Sequence, residues 1–356
     1  MTLTPDEIRA LPKVVLHDHL DGGLRPETLI ELAQEIGYEL PSDDADLLSK
    51  HFIANSNSGD LVRYLEAFTH TSAVMQTAAN ITRIAREAVI DHARDGVIYV
   101  ELRYAPELHT EQGLIMQEVV DAVTLGIEEG VSDALEEGYT IRAAALLCAM
   151  RQNHRSLEVA ELALANWGTG CVGFDIAGPE AGFPPAKHAP AFTLLRDELF
   201  PVTIHAGEAD DTDSLAQALG LGAARRIGHG VRIHEDITDF GTEMPVFGHI
   251  AQYVLDQQIP LEICPTSNVH TGAAPSIAEH PMHELRDLGF AVTINTDDKL
   301  MSGVDMVSEF TDLHDVGWTK RDLFEATLAA AWGAFLPYDE RADLADLIVA
   351  GYGMDD

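Results

Sequence analysis

Eight short runs rich in β-branched and aromatic residues recur along the chain, with helical patterns filling most of the gaps between them. The runs are Val14–Leu20, Val97–Tyr104, Ile141–Met150, Cys171–Ile176, Pro201–His205, Arg226–Ile233, Pro260–Cys264 and Ala291–Thr296. Helical patterns lie at Met116–Glu137, Leu157–Asn166, Pro190–Phe200, Thr212–Leu221, Met244–Gln258 and His280–Leu288. Strands alternating with helices dictate an α/β fold with a parallel sheet. Eight such units predict a single closed (β/α)8 TIM-type barrel rather than an open sheet.

The 356 residues, 46% of them hydrophobic, suffice for one such barrel with a sizeable core. No linker divides the chain, so residues 1–356 read as one domain. The first connection is long: residues 23–96 carry helical patterns at Pro26–Ile36, Asp60–Met75 and Ala78–Ala93. Loops that follow barrel strands build the functional rim, so this insertion reads as a cap over a pocket; an embellishment of the outer helical layer is the alternative. Val304–Asp315 and Lys320–Phe335 predict extra C-terminal helices that close the barrel.

The formal net charge is −37, from 59 acids against 22 bases. Such a surface repels nucleic-acid backbones and anionic membranes, so neither is an expected partner. The longest apolar stretch, Ala143–Met150, is far too short to span a bilayer. Met1–Glu7 lacks the basic and apolar regions of a signal peptide, and a cytoplasmic location is expected. Cys148, Cys171 and Cys264 form no C-x-x-C pair, which excludes the His/Cys/Cys zinc site of cytidine-deaminase type and argues against a disulfide framework.

Chemistry gathers at the carboxyl ends of four predicted strands. His17 and His19, in Leu16-His17-Asp18-His19, sit at i and i+2 of a strand. They therefore project from one face about 6–7 Å apart, which suits two imidazoles on one ion. His205 opens His205-Ala206-Gly207-Glu208, His229 lies between glycines, and Asp297-Asp298 follows an apolar strand. A barrel brings those ends to one rim. His17, His19, His205 and Asp297 make three imidazoles and a carboxylate, a set that suits zinc and also accepts iron or cobalt. The fourth strand ends without the lysine that bridges two-metal sites, so one metal per chain is expected. The other histidines, including His70, His154, His234 and His314, read as surface or structural.

These segments resemble the adenosine/adenine/AMP deaminase group of the metal-dependent amidohydrolase superfamily. The match consists of His17–Gly22, Glu101–Pro106, Asp175–Gly178, His205–Glu208, Arg226–Gly230, Cys264–Asn268 and Asn295–Asp298, in the family's order. The resemblance implies zinc on His17, His19, His205 and Asp297. It implies that Glu208 donates a proton to purine N1, and that His229 and Asp298 orient and deprotonate the attacking water. It further implies substrate contacts from Asp21 to the ribose 5′-hydroxyl, from the Gly178 N–H to N3, and from His19. The implied reaction is deamination of adenosine and 2′-deoxyadenosine to inosine and 2′-deoxyinosine. Aspartate at position 21 leaves room for ribose, where adenine deaminases of the group tend to carry glutamate. Deamination of adenine or of a modified adenosine of aminofutalosine type is the alternative within the class; a catalytically silent nucleoside-binding barrel and a metal phosphoesterase are the alternatives outside it. Two positions depart from the family pattern: Lys299 follows Asp-Asp where proline is usual, and Ala105 stands where serine is often found. Oligomeric state and pathway are not legible in the sequence.

Overall fold

Val14, Val15 and Leu16 do enter a strand, β1 (Lys13–His19), and its parallel neighbours follow in chain order. In the computed structural model, which describes residues 3–354, these are β2 (Val97–Tyr104), β3 (Arg142–Met150), β4 (Gly173–Ala177), β5 (Thr203–Ala206) and β6 (Arg226–His229). A small antiparallel hairpin, β7 (Ile237–Thr238) and β8 (Val246–Phe247), precedes β9 (Leu261–Ile263) and β10 (Val292–Ile294). The parallel strands form the orders β1-β2-β3-β4 and β10-β9-β6-β5. Parallel bridges Phe174–Val202 and Asp18–Asp297 join the two sheets, so the barrel is closed and leaves no sheet edge.

The apolar core lies between strands and outer helices, where Val15, Leu102, Leu147, Ile204, Ile227 and Ile263 are fully buried. Inside the barrel the layer is charged. Alternate residues of the strands point inward, and these are Glu101 and Arg103 of β2, Asp175 of β4, Arg226 of β6 and Glu262 of β9, all without solvent exposure. Arg103 bridges Asp175 (2.7 Å) and Glu262 (2.8 Å), and Arg226 bridges Glu262 (2.5 Å) and Glu101 (2.6 Å).

Several boundaries differ from the sequence expectation, each for a local reason. The run expected as one strand over Arg226–Ile233 ends at His229. His229 (φ 61°) and Gly230 (φ 69°) both take left-handed backbone, and the chain coils into a 3₁₀ turn over Val231–Asp236. The helix expected from Met244 begins at His249, because Val246–Phe247 pairs with Ile237–Thr238. Its N-terminal amides at Ile250 and Ala251 donate to the Asp236 carboxylate, both at 2.8 Å. The pattern at Asp60–Met75 is two helices, Leu61–Leu65 and Phe68–Val74. Five α-helices have no counterpart in the sequence reading: Pro5–Ala10, Ala45–Ser56, N-capped by Asp44, Pro265–His270, Lys299–Ser302, and Tyr338–Tyr352, which packs on Lys320–Gly333.

Candidate active site

The carboxyl ends of β1, β5, β6 and β10 meet at one mouth. Closure of the barrel brings them there: the His19 N–H donates to the Asp297 carbonyl (2.6 Å) and the Asp297 N–H to the His17 carbonyl (3.0 Å). One ligating atom each from His17, His19, His205 and Asp297 lies within 4.8 Å of the others. His17 Nε2 is 3.1 Å from Asp297 Oδ1, and His19 Nε2 is 3.1 Å from His205 Nε2. Asp18, between the two histidines, points the opposite way, accepting from Thr296 Oγ1 at 2.5 Å and facing His92 of the outer helix Ala78–Arg94.

Fixed partners orient the imidazoles from below. His17 Nδ1 meets Glu262 Oε2 at 2.9 Å, and His205 Nδ1 meets Asp175 Oδ2 at 2.8 Å. The Glu262 carboxylate bonded to His17 Nδ1 and the Asp175 carboxylate beside His205 Nδ1 favour protons on those nitrogens, leaving both Nε2 lone pairs for the cluster, the arrangement a cation requires. His17 Nε2 is buried and has no hydrogen-bond partner. The donor set and this orphaned nitrogen fit a tetrahedral divalent ion of borderline softness. Burial opposes the charge on Glu262, yet Arg103, Arg226 and His17 hold its carboxyl well below the ordinary carboxylate range.

The adjacent carboxylates diverge. Burial opposes ionisation of Asp297, but the closeness and potential of His17, with those of His229 and His19, hold it well below the usual range. Ser267 Oγ adds a donor to Asp297 Oδ2 at 2.6 Å. Asp298, by contrast, is pushed well up by burial and by the charge of Asp297. The base role that the resemblance implies for Asp298 needs it ionised; the protein groups alone disfavour that, and a dication in the neighbouring cluster would invert the local field. Asp298 Oδ2 accepts from Tyr64 (2.9 Å), while Oδ1 is buried without a partner. A side chain at Gly22 would collide with that carboxylate, its Cβ falling 1.9 Å from Oδ1.

Glu208 stands across the mouth on a clamped loop. The Glu180 carboxylate accepts from the backbone N–H groups of Gly207 (2.7 Å), Glu208 (3.0 Å), Ala209 (2.7 Å) and Asp210 (3.0 Å), and from Ser214 Oγ (2.6 Å). Burial and the charges of Asp297 and Glu180 push the Glu208 carboxyl well above its ordinary value. Thr271 donates to Glu208 Oε1 at 2.8 Å, and His229 Nε2 is 3.5 Å from Oε2. His229 reaches the cluster because Gly228 has no side chain; a Cβ there would lie 3.0 Å from the His205 Cα and 3.2 Å from the His17 ring.

A cavity of about 610 Å³ opens above this constellation, lined by His19, Asp21, Gly178, His205, Glu208, His229, Asp297 and Asp298. All the sequence-derived site residues therefore border it except His17, which lies beneath. Asp21 is buried with Oδ1 unpartnered, and burial raises its carboxyl to about 7. Ala105, Cys148 and Ala177 form an apolar wall with Met150. Tyr38, Leu61, Leu65 and Phe68 of the insertion roof the cavity. The sequence reading missed Glu180, Thr271 and Tyr64. It left Asp175, Arg103, Ser267 and Asn268 without roles although they stand in or beside quoted motifs, and gave Glu262 none.

A family model described as adenosine deaminase matches residues 12–351. Adenosine deaminase 1 of Streptomyces coelicolor is 52% identical over 354 residues, covering 99% of this chain and 89% of that relative. The adenosine deaminase of Mycolicibacterium vanbaalenii is 48% identical over 351 residues, covering 98% and 96%. The solved structure of an adenine deaminase from Arthrobacter aurescens superposes with a TM-score of 0.83 at 26% identity, covering 96% of this chain and 98% of that one. Similarity of this extent runs through every strand that supplies a side chain to the mouth, and the chain belongs to the adenosine deaminase family.

Proposed function

We propose that this protein catalyses the zinc-dependent hydrolytic deamination of adenosine and 2′-deoxyadenosine, yielding inosine, 2′-deoxyinosine and ammonia. The observation that carries the reading is one cavity joining a three-histidine, one-aspartate cluster to a buried, high-pKa Glu208. One zinc ion per chain would be held by His17, His19, His205 and Asp297. When bound, it supplies Lewis acidity that brings the pKa of water near 7.

The remaining chemistry belongs to the side chains. C6 of an aminopurine is a poor electrophile until N1 is protonated, and Glu208 holds the proton that N1 needs. His229 and Asp298 orient the water, and Asp298 takes its proton as its oxygen bonds to C6. The proton on Asp298 then leaves with the amino group as ammonia, and the C6 hydroxyl proton returns to Glu208, leaving N1 protonated and C6 a carbonyl. The Gly178 N–H reads N3, and Asp21, with its unpartnered oxygen, accepts from the ribose 5′-hydroxyl with His19 beside it. A buried carboxylate with a free acceptor favours nucleosides over the free base, because adenine leaves it unpaired.

The test is a panel of adenosine, 2′-deoxyadenosine, adenine, AMP and cytidine followed by ultraviolet absorbance, with metal content measured on the same preparation. The expected result is turnover of both nucleosides and about one zinc per chain. Adenine turned over much faster than adenosine would overturn the role of Asp21.

A further inference from the structure

His229 is usable as a base at Nε2 only if that nitrogen carries a lone pair, and the residues behind it decide whether it does. The backbone N–H of Cys264 donates at 3.3 Å to one side-chain atom of Asn268. A backbone N–H has no other option, so that atom is the amide oxygen. A second donor reaches the same oxygen: His280 Nε2, at 3.3 Å. The Met282 N–H donates to His280 Nδ1 at 3.0 Å, which leaves the His280 proton on Nε2 and makes it a donor. Two independent backbone amides thus fix the orientation of the Asn268 amide. Its nitrogen, which has no lone pair to give, faces His229 Nδ1 at 3.1 Å. His229 Nδ1 must accept.

We propose that Asn268 and His280 are positioning residues that lock His229 as the Nε2–H tautomer. His229 then presents an N–H rather than a lone pair to the cavity. A proton added to His229 would have to go on Nδ1, breaking the bond to Asn268 and placing two donors face to face. Asn268, His229 and His280 are all buried, so water offers no substitute partner. The kinetic part of this inference rests on the deaminase reading; the tautomer does not.

The test uses the full-length protein as purified, with ¹⁵N-labelled histidine. The ring nitrogens of His229, assigned by their loss in His229→Gln, report directly which one bears hydrogen. The expected spectrum has a protonated Nε2 and an unprotonated Nδ1; the reverse overturns the proposal without any reference to activity. Asn268→Asp places a carboxylate acceptor opposite Nδ1, which moves the proton there and turns Nε2 into an acceptor. With the donor lost, kcat for adenosine should fall about 10²-fold, with KM changed by less than about threefold. Wild-type or higher kcat in Asn268→Asp, with the tautomer switched, would make His229 the base and overturn the proposal. His280→Gln retains an N–H donor for Asn268 and should keep the wild-type tautomer. If wild type fails to deaminate adenosine yet has the expected tautomer, the deaminase reading falls and the relay stands.

Discussion

Beneath the imidazole cluster, Glu101, Arg103, Asp175, Arg226 and Glu262 are fully buried and bonded to one another across the barrel. Above it, the helices Leu61–Leu65 and Phe68–Val74 cover the cavity mainly with apolar side chains, and Val62 is 59% exposed. The floor cannot shift one partner without stranding another charge, a cost of several kcal/mol per ion. The roof is tied to the barrel rim by apolar contacts and the Tyr64 hydroxyl, and its other side-chain hydrogen bonds, among them His70 to Tyr38, Gln76 to Ser72 and Asn80 to Val74, lie within the insertion. A ligand set that must be held to fractions of an ångström sits on the rigid side, and the side through which a nucleoside must pass is the one that is cheap to open. Substitutions should therefore lose most on the floor and rim and least in the roof.

Glu208 belongs to the rigid side through the Glu180 clamp, and it should give the largest effect. Glu208→Gln keeps the shape but has no acidic proton, so kcat should fall by about 10²–10⁴-fold while bound metal stays at the wild-type level. In the proposed reaction activity needs the protonated acid. Its raised pKa keeps that form present toward neutral pH, so kcat should hold at lower pH and decline as pH rises through the shifted value. That alkaline limb should be absent from the residual activity of Glu208→Gln; a limb that persists unchanged belongs to another group.

Arg103→Leu attacks the floor itself. It leaves Asp175 and Glu262 facing each other's surroundings without their shared cation, and should destabilise the fold by about 3–5 kcal/mol, read as a lowered urea midpoint. The exposed roof residue is the control: Val62→Ala should move stability by less than about 0.5 kcal/mol. Similar losses in the two variants would abolish the distinction between floor and roof.

The same contrast governs what was legible in the sequence. His17, His19, His205 and Asp297 follow runs of apolar β-formers, so alternation and the strand-end rule pick them out, and His229 is marked by its place between two glycines at a strand end. The floor leaves no such local trace. Arg103 and Glu262 are 159 positions apart in sequence, and nothing local ties Glu262 to His17 or Arg226 to Glu101. Glu180 reads as an ordinary loop acid after a proline, and only the folded loop turns four amide N–H groups onto it. The left-handed backbone of His229 and Asp297 is equally silent, since neither residue is glycine and closure of the barrel imposes it. Tyr64, in a short helix of aliphatic neighbours, reads as a packing aromatic.

Asp21 lies where rim and roof meet, in the 3₁₀ turn Leu20–Gly22 after β1. Asp21→Ala removes the acceptor assigned to the 5′-hydroxyl and should weaken nucleosides by about 1–3 kcal/mol, seen as a lower kcat/KM for adenosine with little change for adenine. Equal losses on both substrates would make Asp21 structural.

Tyr64 is the roof's own contact with Asp298, and its effect on activity should be smaller than those of Glu208 and Asp21. Its hydroxyl donates to Asp298 Oδ2 at 2.9 Å and meets Ser302 Oγ at 2.9 Å, with the side chain buried. Tyr64→Phe deletes only that hydroxyl. A net loss of about 0.5–1.5 kcal/mol is expected for one such bond, so kcat should fall by no more than about tenfold and the urea midpoint should scarcely move. The roof itself should respond more than the barrel. Hydrogen exchange of the amides in 61–74 should quicken, because the tie that held the helix to Asp298 is gone, while exchange in β1, β5 and β10 stays as in wild type. If exchange quickened in those strands as well, the roof would be part of the rigid frame, and substrate would have to enter by some movement other than the lifting of these two helices.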